Sequence, residues 1–406
     1  MRVCFISRRF FPTISGMSVY ALNLLRQLVA LGHDVTMISQ YYGGVAAGVY
    51  GGGPPPEVPG VRVIGVESVN EQSNGNFEAD IAEIVRIVER EHALRPFDIV
   101  HAQYGYPTGL AGLIAARRLG VPSVVSIQGG DGHWVGECCT THKRAMRQVC
   151  DGADALLIGS TSFAGEVRGR LGTDASRFTI VPGAVDTDRF TPSPDHAPGQ
   201  LGRPPVLLYH GRVDRRKGAL DLLEAFDQLT AAGRPLRLIV SGIGPDLEAV
   251  RRRAATLVGV EVTGYAEYAA TPDVYRRGDV FVSPTYAEGF SNTILEAMAS
   301  GLPIVSCDAV GVVDCLRHEE NGLLARVADI DDLTAQIARM LDDDALRLQL
   351  ASAALAECRS TYSWTAIGRQ IGSIYAHVAS HPTETDQALP AWSDEPCRYR
   401  SQPHLL

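Results

Sequence analysis

The chain has 406 residues, 45% of them hydrophobic, with 46 acidic against 37 basic side chains and a formal net charge of −9. That length suits two domains, the composition is that of a globular protein, and the acidic balance argues against nucleic acid as a partner. No apolar run reaches the ~18 residues needed to span a bilayer, and the first ten residues read as a buried strand rather than a signal peptide, so a cytoplasmic protein without an integral membrane segment is expected.

In chain order, RVCFIS (2–7) predicts a strand, 17–31 a helix and DVTMIS (34–39) a second strand, followed by a Gly/Pro-rich loop from Gly43 to Gly60. VRVIGV (61–66), a helix over 78–94, FDIVHA (97–102), a helix over 108–119, PSVVSI (122–127), a helix over 140–150, ADALLIGS (153–160) and RFTIVP (177–182) continue the alternation. Strands alternating with helices predict a mostly parallel, doubly wound sheet. TPSPDHAPGQLGRPP (191–205) cannot hold regular structure for long and marks a boundary. The pattern then restarts with VLLYHG (206–211), a helix over 217–232, LRLIVSG (236–242), a helix over 245–257, VEVTG (260–264) and a helix over 271–277. DVFVSP (279–284), a helix near 292–300, PIVSC (303–307), NGLLA (321–325) and helices over 329–340 and 344–359 complete it. The expected domains are 1–195 and 200–360, with a helix over 363–378 crossing back to the first and a disordered tail over 380–406. Two doubly wound domains place the carboxyl ends of both sheets around a cleft, the default ligand position.

The most informative segment is SPTYAEGFSNTILEAMASGLPIV (283–305). Gly289 lets the chain turn after a strand, and Ser291 or Asn292 can cap a helix through Ile294, Leu295 and Met298 that Gly301 and Pro303 stop. The N–H groups of residues 289–293 then form an anion site. Glu288 precedes that site and Glu296 lies a turn inside the helix, so the two carboxylates can reach opposite ends of one ligand. A molecule with phosphate in its middle and hydroxyls at both ends fits, as a nucleotide sugar does. His210-Gly211-Arg212 ends a strand and Lys217-Gly218 starts a helix, which puts two cations where they can hold a diphosphate. Lys217 is one of only two lysines, with Lys143, against 35 arginines. Gly16 stands before a helix where a side chain would obstruct a phosphate or sugar, yet the segment is no GxGxxG fingerprint, which counts against a dinucleotide-dependent dehydrogenase.

SGMSVYALNLLRQLVALGHDV, GRVDRRKGALDLLEAF and EGFSNTILEAMASGLPIV resemble the signatures of retaining glycosyltransferase family 4, whose members have the GT-B fold, and the resemblance spans about 1–378. It implies that Arg212 and Lys217 hold the donor diphosphate, Glu288 contacts the sugar and Glu296 the ribose. Gly289, Phe290, Ser291 and Asn292 line the donor, Gly16 approaches the phosphates, and Gly264 joins this donor set. It implies transfer with retention from a nucleotide sugar, UDP-linked on this reading, with no cofactor and no metal.

Many members carry a histidine near the reacting sugar where this chain has Gln128, in IQGGD (127–131). Glutamine cannot take a proton, so Asp131, His133 or His101 are candidate substitutes, as is the donor phosphate itself. The acceptor side is expected from Tyr104 and Tyr106 in HAQYGYP and from Asp131, His133 and Trp134, whose flat rings suit a sugar or cyclitol. The first domain is close to charge-balanced, so a small soluble acceptor is preferred, peripheral membrane contact is not favoured, and the alternatives are a lipid-linked or surface polysaccharide transferase, a nucleotide-sugar 2-epimerase and a non-catalytic sugar-nucleotide-binding subunit. Asp186-Thr187-Asp188 has the form of a metal-binding pair but matches the family's interdomain segment. The eight cysteines include no CxxC, only the adjacent Cys138 and Cys139, and read as reduced thiols rather than a disulfide frame or zinc site.

Overall fold

The computed structural model describes residues 1–43, 51–194, 197–380 and 395–402, apart from the side chain of Asp131. Most of the loop expected over 43–60 is thus described, and of the expected tail only Ser380 and 395–402. The chain divides into two compact units, Met1–Pro182 with Ile367–Leu406, and Gly183–Ala366.

The first unit is built on β1 (Arg2–Ser7), β2 (Asp34–Tyr41), β3 (Val61–Glu67), β4 (Ile99–Gln103), β5 (Ser123–Ile127), β6 (Ala155–Ile158) and β7 (Phe178–Ile180), in the order β3-β2-β1-β4-β5-β6-β7. All pairs are parallel; Val3 stands opposite Val35 on one side and Ile99 on the other. Helices cover both faces of such a sheet, so its central strands are apolar without alternation, and every residue of β1, β4 and β5 is buried. Three helices do not register in the sequence: Val69–Asn74, Gly129–Trp134 and Thr161–Leu171. The last carries Gly165 and Gly169, which weaken its helical signal; Ser160 Oγ nevertheless accepts from Phe163 N at 3.2 Å, and Phe163, Val167 and Leu171 form a single buried stripe at four-residue spacing.

The second unit has β8 (Val206–His210), β9 (Arg237–Ser241), β10 (Val260–Gly264), β11 (Val280–Ser283), β12 (Ile304–Cys307) and β13 (Leu323–Ala325), in the order β10-β9-β8-β11-β12-β13. Successive side chains point to opposite faces. Leu207, Val240 and Val282 join Leu222, Phe226 and Ile337 on one side, while Leu208, Ile239 and Phe281 join Ile294, Leu295 and Met298 on the other.

Helix Trp364–Ala379 crosses back as expected: from Ile367 onward it belongs to the first unit, where Tyr375 Oη lies 2.5 Å from His101 Nδ1 and Gln370 donates to the Ile180 carbonyl at 2.9 Å. Residues 395–402 correct the expectation of a disordered tail. Arg398–Ser401 form a helical turn, Tyr399 is buried, and Arg400 pairs with Glu78 at 2.7 Å. Tail polarity misleads here because the anchor is a few side chains rather than an apolar stripe. Among the described residues no helix is long and apolar enough to cross a membrane.

Candidate functional site

In the second unit the strand order turns back between β8 and β11, so the loops leaving their carboxyl ends diverge and leave a crevice. The two segments that stand out in the sequence are these loops. Tyr286 N donates to the Arg216 carbonyl at 2.8 Å, and Lys217 Nζ donates to the Ala287 carbonyl at 3.2 Å. Gly218, at φ 71°, lies so close to Pro284 that a Cβ would sit 2.1 Å from its carbonyl oxygen. This lacing brings Lys217 Nζ to 2.6 Å from Glu288 Oε1, with the side chains 25% and 21% exposed. Arg212 is held by Asp214, Nη2 to Oδ2 at 3.2 Å, and its side chain stays 46% exposed.

Helix Asn292–Ala299 starts where expected, with a correction at its cap. Ser291 occupies the N-cap position but makes no capping bond; its hydroxyl lies 3.3 Å from Thr293 Oγ1. With no capping bond from the Ser291 side chain, this helix start, assisted by its dipole, suits an anion. Phe290 is half-buried with its ring 5.7 Å from that of Tyr362, so it wedges the turn into which Gly289 leads.

Glu296 projects one turn into this helix, and the Tyr275 hydroxyl donates to its Oε2 at 2.7 Å. Burial pushes its carboxyl up to about 7, although the Tyr275 hydrogen bond and the Arg189 charge pull the other way. A raised folded-state pKa adds stability below the ordinary carboxylate range, and this contribution is lost as pH rises through about 7. Glu296→Gln is therefore expected to melt higher than the parent at pH 8 but not at pH 4, read by thermal unfolding at both pH values. Equal melting shifts at the two pH values would disprove this.

Two supports of the crevice escape sequence reading. Glu288 N donates to the Val310 carbonyl at 2.8 Å. Beside it Gly311, at φ 76°, has no room for a Cβ, which would lie 2.1 Å from the Glu288 carbonyl oxygen. In the loop after β9, a Cβ on Gly242 would lie 1.7 Å from the Gly211 carbonyl oxygen, and one on Gly244 2.0 Å from that of Val213. A glycine shortly after a strand is the available signal, but nothing in the sequence says which backbone it meets. Gly264 ends β10 and reaches this loop by accepting from Gly242 N at 2.7 Å. His210, held 3.1 Å from Ser241 Oγ, is pushed down to about 4 by burial and is neutral. Asp186 Oδ1 accepts from Asp188 N and Arg189 N, both at 3.2 Å, so the Asp-x-Asp segment is a turn.

In the first unit the order turns back between β1 and β4. Gly16 opens helix Gly16–Ala30, and a Cβ there would meet no atom within 4 Å, so the chain itself does not demand glycine at this position. Gln103 ties the neighbouring loops, donating to the Met17 carbonyl at 3.2 Å and accepting from Ser7 Oγ at 3.1 Å. Tyr104 adopts φ 82° and brings its hydroxyl against Gly130, where a Cβ would be 2.6 Å away. Gln128 is half-buried just beyond β5, and Trp134 is half-buried with the Arg170 guanidinium 5.6 Å above its ring; the Asp131 side chain lies outside the described residues. Three expectations change. Tyr106 is 1% exposed and packs against Phe77 and His142 at 5.5 and 4.5 Å, so it offers no face to an acceptor. His133 is buried against Phe163 with Nδ1 2.8 Å from Glu166 Oε2, a packing role. His101 is fully buried between Tyr375 and Ser126, and burial pushes it down to about 3, which removes it as a base near neutral pH.

Residues 15–184 match the family model described as a glycosyl transferase 4-like domain, and residues 204–343 that described as glycosyl transferases group 1. A D-inositol 3-phosphate glycosyltransferase of Xylanimonas cellulosilytica is 28% identical over 405 residues, covering 89% of this chain and 92% of its own. A glycogen synthase of Mycobacterium tuberculosis is 24% identical over 413 residues, covering 96% and 98%. Among solved structures, sucrose-phosphate synthase from Thermosynechococcus elongatus superposes with a TM-score of 0.77 at 21% identity, over 93% of this chain and 99% of its own. Anabaena Alr3699/HepE in complex with UDP and glucose gives 0.73 at 16%, over 93% and 100%. At such identities the structural likeness speaks for the fold.

Proposed function

The chain belongs to glycosyltransferase family 4, the group 1 glycosyl transferases of GT-B fold, and from that premise we infer that it is a retaining hexosyltransferase. On this reading it moves a hexose or amino-hexose from a UDP-linked donor to a hydroxyl of a small soluble acceptor such as a sugar or cyclitol. The observation that carries the donor half is the Lys217–Glu288 pair, 2.6 Å apart beside a helix start without a capping side chain.

Lys217, Arg212 and the amides of Gly289 to Asn292 receive the diphosphate, Glu288 accepts from sugar hydroxyls, and Glu296 from the ribose. The bond from the anomeric carbon to the diphosphate oxygen breaks as charge builds on that oxygen, and fixed cations stabilise that charge without reorganising. The acceptor oxygen bonds to the same face of the sugar, and its proton passes to the departing phosphate. Because the diphosphate is neutralised by side chains, the rate is expected not to rise when magnesium or manganese is added. The inositol phosphate glycosyltransferases among the relatives support a small polyol acceptor.

A thermal-shift series with UDP, GDP and ADP sugars tests the donor. Ligand that binds only the folded chain stabilises it by RT ln(1 + [L]/Kd), and the UDP sugar is expected to give the largest rise. A donor-by-acceptor screen read by mass spectrometry, with anomeric configuration assigned by NMR, tests the rest. An inverted product would remove the retaining mechanism, and an isomerised nucleotide sugar without transfer would point to an epimerase.

For Gln128→His, kcat is expected to stay within about tenfold of the parent, a change below ~1.4 kcal/mol in the barrier, because the phosphate already takes the proton. A much larger gain would show that the chain lacks a base it can use.

A further inference from the structure

Cys138 and Cys139 immediately precede helix Thr140–Gly152, and His142 lies in its first turn. Cys397 comes from the far end of the chain, immediately before the helical turn Arg398–Ser401. The three sulfur atoms and one imidazole nitrogen all lie within 4.8 Å of one another. His142 Nδ1 is 3.1 Å from Cys138 Sγ and 3.4 Å from Cys397 Sγ. A tetrahedral ion with metal–sulfur bonds of ~2.3 Å and a metal–nitrogen bond of ~2.0 Å needs ligand-to-ligand edges of roughly 3.5–3.8 Å, so small side-chain shifts admit one.

We propose that Cys138, Cys139, His142 and Cys397 form a structural zinc site that fastens the carboxyl-terminal segment to the first unit. Three thiolates with one imidazole are a closed, soft donor set, which suits zinc and disfavours magnesium or calcium. The surroundings are those of a structural site. Cys139, His142 and Cys397 are buried, and the His142 ring is flanked by Phe77, Tyr106 and Tyr399 at 5.7, 4.5 and 6.2 Å. Cys139 Sγ accepts from His142 N at 3.4 Å, an outer hydrogen bond of the kind that orients a metal-bound thiolate, at a helix start whose dipole favours negative sulfur.

The segment is also seated independently of the ion. Glu395 accepts from Thr140 N and Oγ1 at 2.9 and 2.6 Å, and Arg400 pairs with Glu78 at 2.7 Å. Gly75 takes φ 68° where the backbone of Arg400 crosses, and a Cβ there would lie 2.3 Å from its carbonyl oxygen. The polar contacts bring Cys397 to its partners, and the ion closes a loop across 255 positions of sequence between His142 and Cys397. Cross-links that close long loops restrict the unfolded chain most. The absence of a CxxC signal conceals the site because two ligands are adjacent and the fourth is remote.

The test uses the full chain, purified under reducing conditions without chelator. Elemental analysis is expected to find one zinc per chain, the cobalt-substituted protein is expected to show a tetrahedral thiolate spectrum, and all eight cysteines are expected to titrate as thiols after denaturation with a chelator. Cys397→Ser is expected to lose the zinc and melt roughly 5–10 °C lower, whereas Cys307→Ser, in the second unit, is expected to keep it. Zinc-loaded protein that retains no ion on dialysis, two thiols missing in a metal-free protein (a disulfide), or unchanged zinc content in Cys397→Ser would each overturn the proposal. None of these readouts depends on transferase activity.

Discussion

Glu288→Ala and Lys217→Ala are each expected to lower kcat/KM for the donor by about 10²–10³-fold, a loss of roughly 2–4 kcal/mol of transition-state stabilisation. Both side chains are fixed before any ligand arrives: the ammonium bonds the Ala287 carbonyl as well as the Glu288 carboxylate. On the proposed mechanism, a charge already in position costs no reorganisation when negative charge develops on the leaving diphosphate. The variants should fold, because a partly exposed ion pair contributes only ~0–1 kcal/mol to stability. Removing Lys217 also leaves Glu288 without its cation, so the effects are not independent, and the double variant is expected to lose less than the sum of the single losses. Steady-state kinetics on the three proteins, with melting temperatures as a control, decide the matter. Near-parental kcat/KM in both single variants would remove the site from the donor reading.

The segments proposed to hold the donor are legible in the sequence, and the structure brings them together, because they sit on regular elements. β8 and β11 are apolar runs, Lys217 follows one and Glu288 the other, and their adjacency at the turning point of the sheet follows from the doubly wound pattern. The proposed acceptor half resists the same reading. Tyr106 and His133 have the residue type and loop position of ligand contacts, yet both are consumed by packing against Phe77, His142 and Phe163. An aromatic ring after a strand can turn outward or inward. The partner of His133, Phe163, sits on helix Thr161–Leu171, which is not visible as a helix in the sequence. Those of Tyr106 lie at the starts of helices Phe77–Leu94 and Thr140–Gly152, which the sequence shows without saying which rings they receive. The tail fails for a related reason: its polar residues are unremarkable until Thr140, Glu78 and the cysteine pair are brought beneath them.

Gly311→Ala is expected to reduce kcat/KM by about 10²-fold while the protein still folds, even though Gly311 is absent from every sequence motif. An alanine at φ 76° carries the penalty of a left-handed residue, about 1–2 kcal/mol. The larger effect is positional. Its Cβ would stand 2.1 Å from the Glu288 carbonyl oxygen and 3.0 Å from the Gly289 carbonyl carbon, and backbone, unlike a flexible side chain, must move as a segment. The displaced segment carries the Glu288 carboxylate and leads into the helix amides, and a shift near 1 Å in such groups is enough for a ~10²-fold loss. Gly165→Ala is the matched control: it lies on helix Thr161–Leu171, a Cβ there meets nothing within 4 Å, and the change should stabilise by ~0.5–1 kcal/mol without touching turnover. If Gly311→Ala loses stability but keeps parental kinetics, the glycine serves the fold alone. If turnover falls while melting changes by only a few degrees, the 308–313 loop is part of the machinery that aims Glu288.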